Sequence, residues 1–183
     1  MAGVASRVPF SKTAPMTTTR VRFAEGKDAE AIYGFIYDLA TYEKQPEAVK
    51  TTPAQIRAHL ESPRPPFECL VAEQVQETGA QAVGFALFFQ TYSTWTGVPG
   101  LWLEDLFVDP GARGSGAGSA LLQRVAELAV ARGFARLDLT ALDWNRSAIE
   151  FYLRRGATAM DTWTTHRFEG EALKRLADGT HAP

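Results

Sequence analysis

Leu103-Glu-Asp-Leu-Phe-Val-Asp-Pro-Gly-Ala-Arg-Gly-Ser-Gly-Ala-Gly-Ser119 is the stretch whose reading decides the fold. It opens as an apolar run of the kind that forms a buried strand and breaks at Asp109-Pro110-Gly111. From there it passes through a glycine-dense turn into an amphipathic helix beginning at about Gly116. The order is strand, loop, helix. Gly114, Gly116 and Gly118 let a ligand approach the main chain closely, and the loop N–H groups stand where a helix N-terminus already favours negative charge. A phosphate is the expected guest. A nucleotide triphosphatase loop needs Lys and then Ser or Thr after its last glycine, but Gly118 is followed by Ser119-Ala120. A dinucleotide fingerprint counted from Gly114 needs a third glycine where Ser119 stands. What remains is Arg113-x-x-Gly116-x-Gly118 behind a strand, or else a glycine turn that only joins strand to helix.

Composition narrows the setting. The 183 residues, 45% hydrophobic and 22% charged, fit one globular domain with a real core, and a net charge of -2 argues against a binder of nucleic acid. The single cysteine, Cys69, excludes an internal disulfide framework and is expected as a small buried hydrophobe. No apolar run reaches the length of a membrane span, and three scattered histidines leave no zinc-site spacing, so neither a membrane nor a metal is expected. Residues 1–19, rich in Ala, Ser, Thr and Pro, read as a disordered leader; 20–178 read as one domain and 179–183 as a frayed tail.

Around the central stretch the chain sorts into alternating elements. Thr17–Phe23 reads as a first strand. Asp28–Ala40 has helical apolar spacing with Asp28 placed as cap, and Thr52-Pro53 opens a second helix through Leu60. Phe67–Glu73 and Ala82–Thr91 read as strands joined by a hairpin through Glu77-Thr78-Gly79, with Leu101–Val108 the third of a meander. The helix to Arg132 ends on Gly133, and Phe134–Ala141 returns as a strand, parallel to Leu101–Val108. Asn145 caps a helix through Tyr152 to Arg155. Met160–Phe168 is expected as a last strand or hairpin, followed by a short helix from Glu171 to Ala177.

The glycine motif behind its strand resembles the pyrophosphate-binding motif of the GNAT N-acetyltransferases, and the element order is that superfamily's. Tyr42-Glu43, Phe67-Glu-Cys-Leu-Val-Ala-Glu73, Val83-Gly-Phe-Ala86, Thr91-Tyr92 with Trp95 and Gly97, Leu103-Glu-Asp105, Trp144-Asn145 and Phe151-Tyr-Leu-Arg-Arg-Gly-Ala157 are similar to one branch of it. That branch is the diamine acetyltransferases, which act on spermidine, spermine and thialysine. The resemblance implies an α/β (α+β) GNAT fold: a central mixed, twisted sheet with helices on both faces, its parallel strand pair splayed at the acetyl-CoA site. It implies acetyl-CoA as cosubstrate, a small-molecule amine as acceptor and a homodimer, while the lone cysteine and the missing membrane-length run make a cytoplasmic setting the expectation.

Residue by residue, the resemblance assigns Glu104 as the base that takes the amine proton through water and Tyr152 as the acid that protonates the departing thiolate. Main-chain groups of Leu106, Phe107 and Val108 are expected along the pantetheine arm. Arg113 with the amides of Gly114, Ser115, Gly116, Ala117, Gly118 and Ser119 is expected at the pyrophosphate, and Asn145, Ser147, Ala148 and Tyr152 on the arm's other side. Tyr42, Glu43, Glu104 and Asp105 are expected to select the amine. Adjacent strand residues face opposite ways, so Glu104 and Asp105 share a site only if the strand is bulged or one of them reaches a partner subunit. In place of the branch's acidic pair and Gly-Trp, this chain has Trp163-Thr164-Thr165-His166, which offers a long polycation less negative charge. An ordinary salt-bridged strand residue for Glu104, a different acceptor such as a protein amino group or an antibiotic, and a binding module without turnover are the other readings.

Overall fold

The run Cys69-Leu-Val-Ala-Glu73 is buried without alternation, which requires cover on both faces of its strand. A computed structural model shows how that cover is built. It describes residues 18–77 and 79–180, so the leader up to residue 17, the hairpin residue Thr78 and tail residues 181–183 lie outside the described residues. The described chain forms two units, one ending at Thr140 and the other beginning at Ala141.

The first unit is a five-stranded sheet in sequence order: β1 (Thr18–Phe23), β2 (Glu68–Gln76), β3 (Gly79–Ser93), β4 (Val98–Val108) and β5 (Leu137–Leu139). The first four strands pair antiparallel and β5 pairs parallel to β4, as the strand, helix, strand crossover requires. Helix α1 (Ala29–Tyr42) lays Ala29, Ile32 and Phe35 on one face of the sheet, against Cys69, Val71, Phe85 and Phe107. Phe35 stacks on Phe85 with ring centroids 6.0 Å apart. Helix α2 (Pro53–Leu60) adds Ile56 to that cluster, and its Thr52 hydroxyl accepts the Gln55 N–H as the expected cap. Helix α3 (Ala117–Ala131) packs across β1 to β4 and buries Leu121 and Val125. It stops at Gly133, whose φ of 70° is the left-handed cap expected there.

Two expectations are corrected in this unit. The Asp28 side chain does not cap α1; it accepts from Glu25 N–H and from both terminal nitrogens of Arg22. A carboxylate this buried is held better by a guanidinium than by a helix terminus. Arg22 also grips Glu73 at 2.7 Å, so β1, β2 and the entry to α1 are tied by charge beneath the sheet edge. The returning strand is the second correction. Only Leu137–Leu139 is strand; main-chain bonds to β4 run on back through Arg136 and Ala135, but pairing does not continue past Leu103 and Leu139, so the expected strand to Ala141 is cut short.

The second unit carries α4 (Arg146–Leu153) and α5 (Gly170–Ala177). The strand or hairpin expected over Met160–Phe168 is not formed: this segment is turn and irregular chain, with Trp163 and Phe168 exposed. Its apolar residues read as a strand, but a strand persists only where a neighbour takes up its N–H and C=O groups. Among the described residues of this unit there is no second extended run to pair with it.

Candidate active site

Strand β4 carries the feature on which the site turns. Leu87 of β3 pairs with Asp105, but the next residue, Phe88, pairs with Leu103, so Glu104 is an extra residue in β4. Leu87 and Phe89 share a face of β3, and their partners Asp105 and Trp102 therefore share a face of β4 although three positions apart. This is the α1 face, to which Phe85 and Phe107 also belong. The bulge is thus the device that lets Glu104 stand beside Asp105 within one chain.

The C-terminal end of α1 brings a third carboxylate. Burial pushes the Asp105 carboxyl up to about 6, and the charges of Glu104 and then Glu43 push in the same direction. Glu43 is itself raised by burial. No cation or hydrogen-bond donor meets the Asp105 or Glu43 side chain among the described residues. Glu104 is exposed, and its carboxylate accepts one hydrogen bond, 2.7 Å from Trp102 Nε1. Sequence reasoning missed Trp102. Its signal was the i, i+2 spacing with Glu104.

At the far end of β4 the chain turns into the glycine loop. Asp109 Oδ1 accepts the Gly111 N–H at 2.7 Å and closes the turn. Gly114 and Gly116 have φ of 83° and 88°, a region that only glycine enters freely, and a Cβ on either would meet nothing within 4 Å. The loop is therefore open on the side where its glycines lack side chains. Ala120 N–H bonds Gly116 O at 2.9 Å, the first bond of α3, so the amides of Gly116, Ala117, Gly118 and Ser119 head the helix. Of these, Ala117 N–H is shared with Ser115 Oγ at 3.4 Å. Arg113 donates to Val108 O at 3.3 Å, and its guanidinium lies over the Tyr42 ring, 5.7 Å from the centroid. The structure thus brings Tyr42, Glu43, Glu104, Asp105 and Arg113 into one neighbourhood of the first unit.

Between bulge and loop, Leu106, Phe107 and Val108 pair with Ala86, Phe85 and Gly84 on the β3 side. On the other side the β5 pairing has stopped at Leu103, so the two parallel strands part just before the bulge. In the second unit, Asn145 Oδ1 accepts the Ala148 N–H at 3.2 Å and the Ser147 hydroxyl at 3.0 Å, which caps α4. Tyr152 is half-buried on the same helix, edge-on to Phe151 at 5.2 Å.

The head of α3, Arg113 and a strand left unpaired on one side thus lie in the same unit as Glu43, Glu104 and Asp105. Residues 30–157 match the family model for the acetyltransferase (GNAT) family. The chain belongs to that family. It is 39% identical to the mouse thialysine N-epsilon-acetyltransferase over 88% of this chain and 99% of that protein. It is 32% identical to a human spermidine/spermine N(1)-acetyltransferase-like protein over 86% of this chain, which is 24% of that protein. Among solved structures, an integron cassette protein of V. cholerae is 25% identical with a TM-score of 0.70, covering 87% of this chain and 97% of that one. The protein is therefore a GNAT N-acetyltransferase, and GNAT enzymes use acetyl-CoA. Among the described residues no group of three or more His, Cys, Asp or Glu could hold a metal ion, and no helix is long and apolar enough to cross a membrane.

Proposed function

We propose that this GNAT enzyme acetylates a primary amine of a small molecule, a short diamine or a thialysine-like amino acid. The observation that carries the reading is the bulge at Glu104, which sets Glu104 and Asp105 on one side of the strand with Glu43 close by, a receptor for an ammonium group. The likeness to the thialysine N-epsilon-acetyltransferase of mouse supports it. A cation entering here replaces water around carboxylates that have no positive partner, and a buried, unpaired carboxylate gains most from one.

The acetyl thioester supplies the electrophilic carbonyl carbon. An amine with a pKa of about 10.4 is almost wholly protonated at neutral pH, so a base must free its lone pair. Glu104, exposed beside the half-buried Asp105, takes that proton through water. The nitrogen then bonds the carbonyl carbon, the carbon–sulfur bond breaks as the Tyr152 hydroxyl gives its proton to sulfur, and the second proton shed by the nitrogen on becoming an amide passes through solvent to restore that hydroxyl. Arg113 and the amides of Gly114 to Ser119 hold the pyrophosphate; the open glycine face and the four amides at the head of α3 fit that anion. Leu106, Phe107 and Val108 bind the pantetheine arm, and Asn145, Ser147 and Ala148 are assigned to that arm by the family resemblance. On the same reading residues 20–178 form the catalytic domain between a leader and a short tail, in a cytoplasmic homodimer.

Incubation with acetyl-CoA and a panel of amines, followed by mass spectrometry, tests this. Monoacetylated thialysine, lysine or putrescine is the expected product. Acetylation of protein amino groups alone, or no acetylated product, overturns it.

A further inference from the structure

Glu104 is on the least constrained part of β4: it is the residue without a partner on β3, it lies just past the last β5 pair, and it is exposed. A glutamate so placed has three side-chain torsions free to turn. Its one tether among the described residues is the indole N–H of Trp102, 2.7 Å from Oε2. Trp102 is fixed where Glu104 is loose. It is half-buried, and its backbone is paired on both sides, with Phe89 of β3 and with Asp138 of β5.

From this geometry we infer that Trp102 is a positioning residue, its indole N–H holding the Glu104 carboxylate in the one orientation from which it receives the amine proton. The inference rests on Glu104 being the base. The indole occupies Oε2, and Oε1 is left for the water that links carboxylate to amine. A donor that is rigid and carries no charge suits this position. Arginine or lysine there would compete with the substrate ammonium for the same carboxylates, whereas an N–H dipole orients Glu104 and leaves the negative charge of the cluster intact. The bulge and the tryptophan act together: one moves Glu104 out of the strand's alternation, the other stops it from wandering.

The test is a cycle of Trp102→Phe, Glu104→Gln and the double variant, read as kcat/KM for the amine and KM for acetyl-CoA. Phenylalanine keeps an aromatic ring and removes the donor. The loss of a hydrogen bond to a charged group predicts a fall in amine kcat/KM of about 10- to 100-fold for Trp102→Phe in the native background. In the Glu104→Gln background the same substitution is expected to change it by less than about twofold, with KM for acetyl-CoA unmoved in both. Equal losses in the two backgrounds, or no loss in the native one, overturn the inference. Glu104→Gln alone with unchanged kcat/KM overturns the base assignment instead. A second measurement does not depend on how Trp102→Phe folds. One of the four indole N–H signals in the proton–nitrogen NMR spectrum is expected to move upfield in Glu104→Gln, and four unmoved signals refute the contact.

Discussion

At the scale of single residues, the chemistry rests on groups whose surroundings set their proton affinity. Asp105 is the clearest. Its folded carboxyl binds a proton more tightly than in the unfolded chain, so its contribution is most favourable below the ordinary value of 3.8 and is lost as pH rises through about 6. Asp105→Asn is therefore expected to raise stability at pH 8 by up to about 3 kcal/mol and to leave it unchanged near pH 3, as thermal melts at the two pH values will show. The same substitution should raise KM for the amine, because the site keeps its burial and loses a charge. In the native enzyme an entering ammonium must displace the Asp105 proton below pH 6, so KM for the amine should climb there. Tyr152→Phe keeps the ring against Phe151 and removes only the hydroxyl. Turnover is expected to fall about 10²- to 10⁴-fold with acetyl-CoA binding nearly intact, and an unchanged rate of the chemical step would remove Tyr152 from the mechanism.

Elements act by holding these residues at fixed offsets. Under the proposed function the head of α3 takes the pyrophosphate because its loop is bare on one side, and Gly116→Val tests that directly. A Cβ there meets no protein atom, so the effect comes from the ligand side and from a β-branched residue forced to a φ of 88°. Calorimetric titration of the folded variant should show acetyl-CoA affinity lost while amine binding persists; undiminished coenzyme affinity would make the loop a bare connector. On the opposite edge of the sheet, Arg22 joins β1 to the entry of α1 through Asp28 and Glu73, both more than nine-tenths buried. It holds both carboxyls below their usual range, so this stability is present at neutral pH and fades as pH falls through their lowered values. Arg22→Met should cost roughly 3 kcal/mol in denaturant unfolding at pH 7, because Asp28 is left buried without its cation, and less at pH 3. An equal loss at both pH values would mean the arginine contributes packing alone.

At the scale of the whole molecule the question is which amine the enzyme prefers. Under the proposed function Glu43, Glu104 and Asp105 receive one ammonium, and the sequence Trp163-Thr164-Thr165-His166 contains no carboxylate for a second or third. Each additional ammonium drawn from water without an ion pair loses solvation that contact area does not return. Spermidine and spermine are therefore expected to be poorer substrates than putrescine, lysine or thialysine, compared as kcat/KM at one ionic strength. Faster turnover of spermine would show that selection is set elsewhere.

Much of this was legible along the chain because it is local. The strand, glycine loop and helix of Leu103–Ser119, the Thr52-Pro53 helix start and the Gly133 stop follow from spacing and backbone preference, and the parallel return of β5 follows from the helical crossover between the two strands. The identity of the three carboxylates was legible too. Their meeting was not, since it depends on a register shift between two strands, which no residue type announces and which only pairing across the sheet settles. The same holds for Asp28: a carboxylate at a helix start reads as a cap until Arg22 on β1 folds over it. Met160–Phe168 marks the opposite limit, where strand-like residues stay unpaired because an extended run becomes a strand only beside a partner. Sequence alone determined which groups are available and which local shapes they favour. The tertiary structure decided which of them stand together, because hydrogen-bond register and burial are properties of pairs of elements rather than of either one.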